Sequence, residues 1–356
     1  MGERQSREKG KKGICLILFS VVSLFLLLMF GLEKWGTSAF AQEKIIELKY
    51  GSPYSPDHPF SVVDKRWFEK IEKETGGRVK IKPYWAGTLL SSREGVDEVV
   101  KGVVDIGLVH PSYAKAGYHI HKAMYYFFYG ANQEIGRKVF YELLKKIPEI
   151  EREYQGLKVL AWTSGVDYQL LSRKPIRKIE DVKGMRVKIT AELAEVFKKL
   201  GAEGVVVPMA ETYEQMQKGI LDAALISYEG LKSFRLAEVA KYLVILDFYR
   251  THGGSRVINI ETWRRLPDDI KKIFEANIEW WGLETDRELE KAHKEGIEFG
   301  KQMGVQFIKL SSEDMEKFYT PLKEIAKQKA EELDKLGLPG TTILTEAQKL
   351  IQQYKK

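Results

Sequence analysis

Lys101-Gly102-Val103-Val104-Asp105-Ile106-Gly107-Leu108-Val109 and Lys218-Gly219-Ile220-Leu221-Asp222-Ala223-Ala224-Leu225-Ile226 read as one piece of structure written twice. Each copy runs Lys, Gly, two aliphatic residues, Asp, then an apolar run. The Gly suits a helix C-terminus at positive φ. The Asp opens a buried strand, where its carboxylate accepts backbone N–H groups. Each copy follows a helix pattern and an earlier strand pattern that ends in Pro, at Pro83 and Pro208. Helix–Gly–strand turns also recur by chance. The sharper reading is two similar α/β halves facing each other across a cleft lined by strand ends and loops.

Working outward, a strand is expected over 45–51, then a helix over 59–75 with Phe60, Val63, Trp67, Phe68 and Ile71 on one face. A strand follows over 79–85, a helix over 95–101 and a buried strand over 103–109. Further strands are expected at 157–163, 168–172, 185–190, 205–207, 223–226 and 257–260. The alternation argues for parallel strands covered by helices on both faces. Leu266-Pro267-Asp268-Asp269 is a start signal for one very long helix over 268–303. At 1.5 Å per residue it spans about 50 Å, enough to brace both halves. Helices over 311–336 and 345–354 complete the chain.

The 356 residues suit two domains with a sizeable core. A single cysteine, Cys15, excludes a disulfide scaffold, a cysteine zinc site and an iron–sulfur site. Five basic residues precede an uncharged apolar run over 14–32, and Ser38-Ala39-Phe40-Ala41 follows. Charged start, apolar middle and A-x-A end describe a secretory signal peptide over 1–41, cleaved after Ala41. A retained membrane anchor is the rival reading, because the run is about long enough to span a bilayer. That segment holds six basic and three acidic residues, so the net charge falls from +7 to +4 without it. No basic block remains, which argues against nucleic-acid binding.

No G-x-S-x-G, Walker loop or G-x-G-x-x-G is present. His119-x-His121 lacks a neighbouring third metal ligand. No catalytic residue, metal site or cofactor is expected. The loops that end predicted strands instead carry aromatic and hydrogen-bonding residues: Tyr54, Tyr84-Trp85, His110, Ser112-Tyr113, Trp162, Tyr168 and Tyr228. Together they suggest an amphipathic pocket for a small ligand with an apolar or aromatic body.

The chain resembles the substrate-binding proteins of TRAP (tripartite ATP-independent periplasmic) transporters. The resemblance rests on G-R-V-K-I-K-P-Y-W-A-G-T-L over 77–89, the Glu94…Gly102-x-x-Asp105 run and K-P-I-R-K-I-E-D-V-K-G-M-R-V-K-I over 174–189. Further fragments are L-G-A over 200–202, V-P-M-A-E-T-Y-E-Q-M-Q-K-G-I-L-D over 207–222, E-V-A-K-Y over 238–242, and Asn259 with W-R-R-L-P-D-D over 263–269. It implies an α/β, two-domain periplasmic binding protein fold of mixed sheets flanked by helices, with a long helix spanning both domains and a ligand cleft between them. Domain I would be 42–165 plus 257–300, and domain II 166–256 plus 301–356. The implied function is a periplasmic receptor, not an enzyme, that hands a small organic acid to a sodium-coupled TRAP permease. A ligand-binding module of a sensor or an ABC-type uptake system is the alternative. Membrane contact is expected only through the leader or the permease, and a monomer and a homodimer both remain open.

In the family an Arg four residues after the Gly of the Lys-Gly pair grips the ligand carboxylate. Counting from Gly184, that position is Lys188 here. Arg186 lies two residues earlier, on the same face of a strand. Lysine is a point charge without the guanidinium fork, so three readings stay open: Lys188 holds an acid in altered geometry, Arg186 reaches in, or the ligand is not a simple carboxylate. Val166-Asp167-Tyr168-Gln169 lacks a second Arg, and Ser227-Tyr228-Glu229 resembles a branch with Trp-Glu at these positions. The implied ligand-binding set is Lys188, Arg186, Tyr168, Trp85, Tyr113, His110, Tyr228, Glu229, Trp162, Tyr54 and Asn259. One cationic contact with aromatic walls points to a monocarboxylate with an apolar or aromatic body.

Overall fold

The computed structural model describes residues 45–251 and 254–355. The expected leader over 1–41, with Cys15 and the cleavage point at Ala41, lies outside the described residues. The strands are β1 (Ile46–Gly51), β2 (Val79–Tyr84), β3 (Ile106–Val109), β4 (Leu157–Trp162), β5 (Gly165–Ser172), β6 (Arg186–Ile189), β7 (Glu203–Val206), β8 (Ala223–Ser227), β9 (Tyr242–Thr251), β10 (Ser255–Asn259) and β11 (Gln306–Lys309). They form two sheets, ordered β2-β1-β3-β10-β4 and β11-β9-β5-β8-β6-β7. The helices used below are α1 (Pro59–Glu74), α2 (Gly95–Val100), α3 (His119–Phe127), α4 (Gln133–Lys146), α5 (Met209–Gln217), α6 (Asp268–Ala276), α7 (Ile278–Gln302) and α8 (Ser312–Lys335).

The repeated sequence becomes a repeated structure. In the first sheet β1 pairs in parallel with β2 and β3. In the second, β6 pairs in parallel with β7 and β8. Gly102 and Gly219 close α2 and α5 at φ of 74° and 71°. The carboxylate of Asp105 accepts from Lys49 N at 2.8 Å, and that of Asp222 accepts from Arg186 N at 2.9 Å. Both aspartates thus clip the opening of a buried strand to its neighbour, as the spacing predicts.

The sheets are mixed, a correction to the parallel reading of the alternation pattern. β10 runs antiparallel to β3 and β4, and β5 antiparallel to β8 and β9. The reason is where the chain crosses over. β5 and β10 each enter their sheet directly from a short crossover beside the junction of the two halves. They therefore start where β3 and β8 end. Two strands, β9 and β11, fall in stretches with no predicted strand.

The expected long helix is present but breaks at Asn277, giving α6 and α7. Asn277 Nδ2 donates to Ile273 O at 2.8 Å and to Glu74 at 2.7 Å, a side-chain bond back to the helix that competes with helical geometry. The first turns of α7 belong to the first half. Trp281 stacks on Trp67 at 3.9 Å and donates from Nε1 to Asp64 at 2.9 Å. Asp64 also takes Arg256 Nε at 3.0 Å and the Tyr50 hydroxyl, all buried. The last turns of α7 belong to the second half. There Gly296 lets the Tyr228 carbonyl approach so closely that a Cβ would lie 2.1 Å away, and Glu295 pairs with Lys232 at 2.7 Å.

Candidate ligand-binding site

Strands β1, β3, β6 and β8 all end on the side where the halves meet, so the residues just past them converge. The first half brings Tyr54 and His110, whose hydroxyl and Nε2 lie 2.9 Å apart. His58 stacks on Tyr54 at 4.2 Å, and Phe234 of the second half meets both rings. Burial and the nearby Arg256 hold His58 neutral, with a pKa lowered to about 3. Burial and the cation Arg250 do the same to His110, again to about 3. At neutral pH both rings therefore supply hydrogen-bonding nitrogens and no charge.

The second half brings the charges. Lys188, near the end of β6, is 0% exposed, and its Nζ has no hydrogen-bond partner. That Nζ lies 5.9 Å from the centre of the Tyr168 ring. Burial first, and then the Arg250 cation, pull its pKa from 10.5 to about 7, against the pull of Glu229. Arg250, at the end of β9, is 6% exposed. Its guanidinium stands over Tyr125 at 4.9 Å and Tyr168 at 5.2 Å, and it donates to the Tyr125 hydroxyl. Glu229 follows β8 and accepts from Ser227 Oγ at 2.7 Å and Ser233 Oγ at 2.8 Å. Burial raises the pKa of Glu229, and also that of Glu192, which is buried beyond β6. A cavity of about 580 Å³ opens beside this cluster, lined by Ser112, Tyr113, Lys122, Tyr126 and Glu192 among others.

Of the residues singled out from sequence, Tyr54, His110, Tyr113, Tyr168, Lys188 and Glu229 come together here. The other five do not. Arg186 stands at the opposite end of β6, where its guanidinium donates to Gly219 O at 2.7 Å and faces Asp222 at 3.5 Å. Asn259 ends β10 far from the junction. Its side chain caps α2 by donating to Val99 O and Val100 O at 2.9 Å, and accepts from Glu261 N and Thr262 N. Trp162 is core, stacked on His121 at 5.9 Å. Trp85 packs edge-on against Tyr50 at 5.5 Å. The Tyr228 hydroxyl turns to Asp247 at 3.4 Å, and its ring meets His293 of α7. Sequence reasoning missed Arg250, Tyr125 and Glu192. For Arg250 one signal existed: an Arg closing the mostly apolar run Tyr242-Leu243-Val244-Ile245-Leu246-Asp247-Phe248-Tyr249-Arg250, in which Asp247 is the other charge.

Buried, partly unsatisfied polar groups need a partner, and here they lie where two α/β halves close on each other. That arrangement defines a solute receptor whose partner is a small polar ligand. Comparison with known proteins agrees. Residues 51–333 match the family model DctP, described as bacterial extracellular solute-binding protein, family 7. The chain belongs to this family, the substrate-binding proteins of TRAP transporters. A Salmonella typhimurium relative, the uncharacterized protein YiiZ, is 27% identical over 304 residues, covering 81% of this chain and 88% of YiiZ. The C4-dicarboxylate-binding periplasmic protein DctP of Rhodobacter capsulatus is 24% identical over 240 residues, covering 65% of this chain and 70% of its own. A TRAP solute-binding protein from Rhodoferax ferrireducens, solved with copurified benzoate, shares the fold at a TM-score of 0.77 and 21% identity, over 87% of this chain and 98% of its own. No helix among the described residues is long and apolar enough to cross a membrane. Among them no cluster of three or more His, Cys, Asp or Glu is placed to hold a metal ion.

Proposed function

We propose that this chain is a periplasmic receptor that closes on a small organic acid, a monocarboxylate with an apolar or aromatic body, and delivers it to the membrane subunits of a sodium-coupled TRAP permease. The carrying observation is the Lys188 ammonium, wholly buried with no hydrogen-bond partner among tyrosine rings. A bare buried ammonium is costly, and a ligand carboxylate offsets that cost. At 4 Å and an effective dielectric near 20 the attraction is about 4 kcal/mol before desolvation. One carboxylate is favoured over two, because Glu229 and Glu192 already stand beside Lys188 and Arg250 and each further negative charge adds repulsion. Tyr54, Tyr113, Tyr125 and Tyr168 supply the walls for an apolar body. The benzoate-bound neighbour supports an aromatic acid, whereas the dicarboxylate-binding relative marks the rival.

The moving domains of this proposal are 42–165 plus 257–300 and 166–256 plus 301–356, with the last turns of α7 packed across on the second. They hinge at the β4–β5 crossover, with α7 as the brace. The molecule acts by binding and not by turnover. The test is a thermal-shift screen of organic acids. Monocarboxylates are expected to raise the melting temperature, and at a hundredfold excess over Kd the gain is about 2.7 kcal/mol. A C4-dicarboxylate bound at micromolar Kd, with no monocarboxylate bound, would overturn the ligand class. Chemical conversion of a bound acid would overturn the receptor reading.

A further inference from the structure

We propose that Arg250, on a strand without a counterpart in the sequence motifs, is the residue that grips the ligand carboxylate with two parallel hydrogen bonds. The inference rests on the reading of this site as one for an organic acid, and it assigns the contact that the sequence left between Lys188 and Arg186.

Arg186 is excluded by position, since it stands at the wrong end of β6 and its guanidinium is already bound to Gly219 O. Lys188 is in place but offers only a point charge on a flexible stem. Arg250 has what a fork needs. Its guanidinium is stacked near Tyr125 and Tyr168, and its bond to the Tyr125 hydroxyl fixes one edge. Its Nε–H is buried with no hydrogen-bond partner. A guanidinium carries five N–H donors in one plane, and a carboxylate is the group that accepts two side by side. The backbone aims it there. The β5–β9 register slips between Tyr168 and Leu170, and Asp247 takes a φ of 43°, so the pleat of β9 is reset just before Phe248, Tyr249 and Arg250. The cluster around the guanidinium is the cluster that borders the cavity through Tyr113 and Glu192.

The experiment is calorimetric titration of the protein with benzoate, mandelate, 2-oxobutyrate and succinate, repeated on Arg250→Lys and Lys188→Gln. Arg250→Lys keeps the charge and removes the fork, so the best-bound acid is expected to lose about 30-fold or more in affinity. Lys188→Gln is expected to lose less. Circular dichroism melting of both variants reports their folding. Should Arg250→Lys fold poorly, the side-chain Nε–H resonance of Arg250 in the wild-type protein is followed by NMR as benzoate is added. A downfield shift supports the fork, and an unmoved resonance at saturation overturns it. Equal affinity of Arg250→Lys and wild type overturns the assignment while leaving the acid receptor standing. Failure of the wild-type protein to bind any of the four acids overturns both.

Discussion

Replacing Lys188 by Met should make the unliganded protein more stable, and by an amount that depends on pH. Methionine has nearly the length of lysine and no charge. In an unfolded chain the lysine ammonium titrates near 10.4. In the folded protein burial and Arg250 bring it to about 7. Between those values the unfolded state holds the extra proton, so the wild-type protein gains stability as pH rises from about 7 to about 10. Below pH 7 the whole cost applies, on the order of 5 kcal/mol; at pH 9, where the buried amine is neutral, about 2 kcal/mol remains. Glu229 opposes the shift, and its pull is already contained in both figures. Lys188→Met removes this cost and with it the slope. Urea unfolding at pH 6 and pH 9 measures it. The variant should gain about twice as much at pH 6 as at pH 9. Equal gains at both values, or a loss at pH 6, would refute the reasoning, because a lysine satisfied in the free protein behaves so.

Binding should move the same proton. A carboxylate beside Lys188 raises its pKa, so benzoate binding at pH 8 should take up a fraction of a proton, measured as a buffer-dependent calorimetric heat, and Lys188→Gln should abolish it. Asp64→Asn should cost about 3–5 kcal/mol, because it leaves Arg256 buried without its carboxylate; urea unfolding checks it. Gly296→Ala puts a methyl 2.1 Å from the Tyr228 carbonyl, which should cost about 1–3 kcal/mol and weaken ligand binding through the adjacent Glu229. Asp286 of α7 accepts from Ser164 Oγ at 3.1 Å beside the β4–β5 crossover, and burial raises its pKa to about 6. A raised carboxyl stabilises the fold fully below about pH 4, and that stability is lost as pH climbs through 6. Asp286→Asn should therefore flatten the stability curve between pH 4 and 6, again by urea unfolding.

Much of the fold was legible because it is written in local rules. A Gly at a helix end and an Asp opening an apolar strand constrain only their near neighbours. Both copies therefore folded as their spacing said, down to the matching bonds from Lys49 N and Arg186 N. The break at Asn277 was not legible, since 268–303 keeps a helical pattern throughout and only the side-chain bonds to Ile273 and Glu74 interrupt it.

The site was legible in half. Residue type and position after a strand pointed to Tyr54, His110, Tyr113 and Tyr168, and the family resemblance pointed to Lys188 and Glu229. The period of two placed Arg186 and Lys188 on one face, but which of them meets the ligand depends on which end of β6 lies at the junction. The same test removed Asn259, at the far end of β10. Arg250 and Tyr125 needed the assembled molecule. Tyr125 sits in a helix, and Arg250 near the end of a strand, that the sequence reading passed over. Their stacking is a meeting of distant segments. Periodicity and capping act over a few residues, and so the chain by itself determined its elements, their repeat and the family. Long-range packing decided which cations, Lys188 and Arg250, lie buried together at the junction.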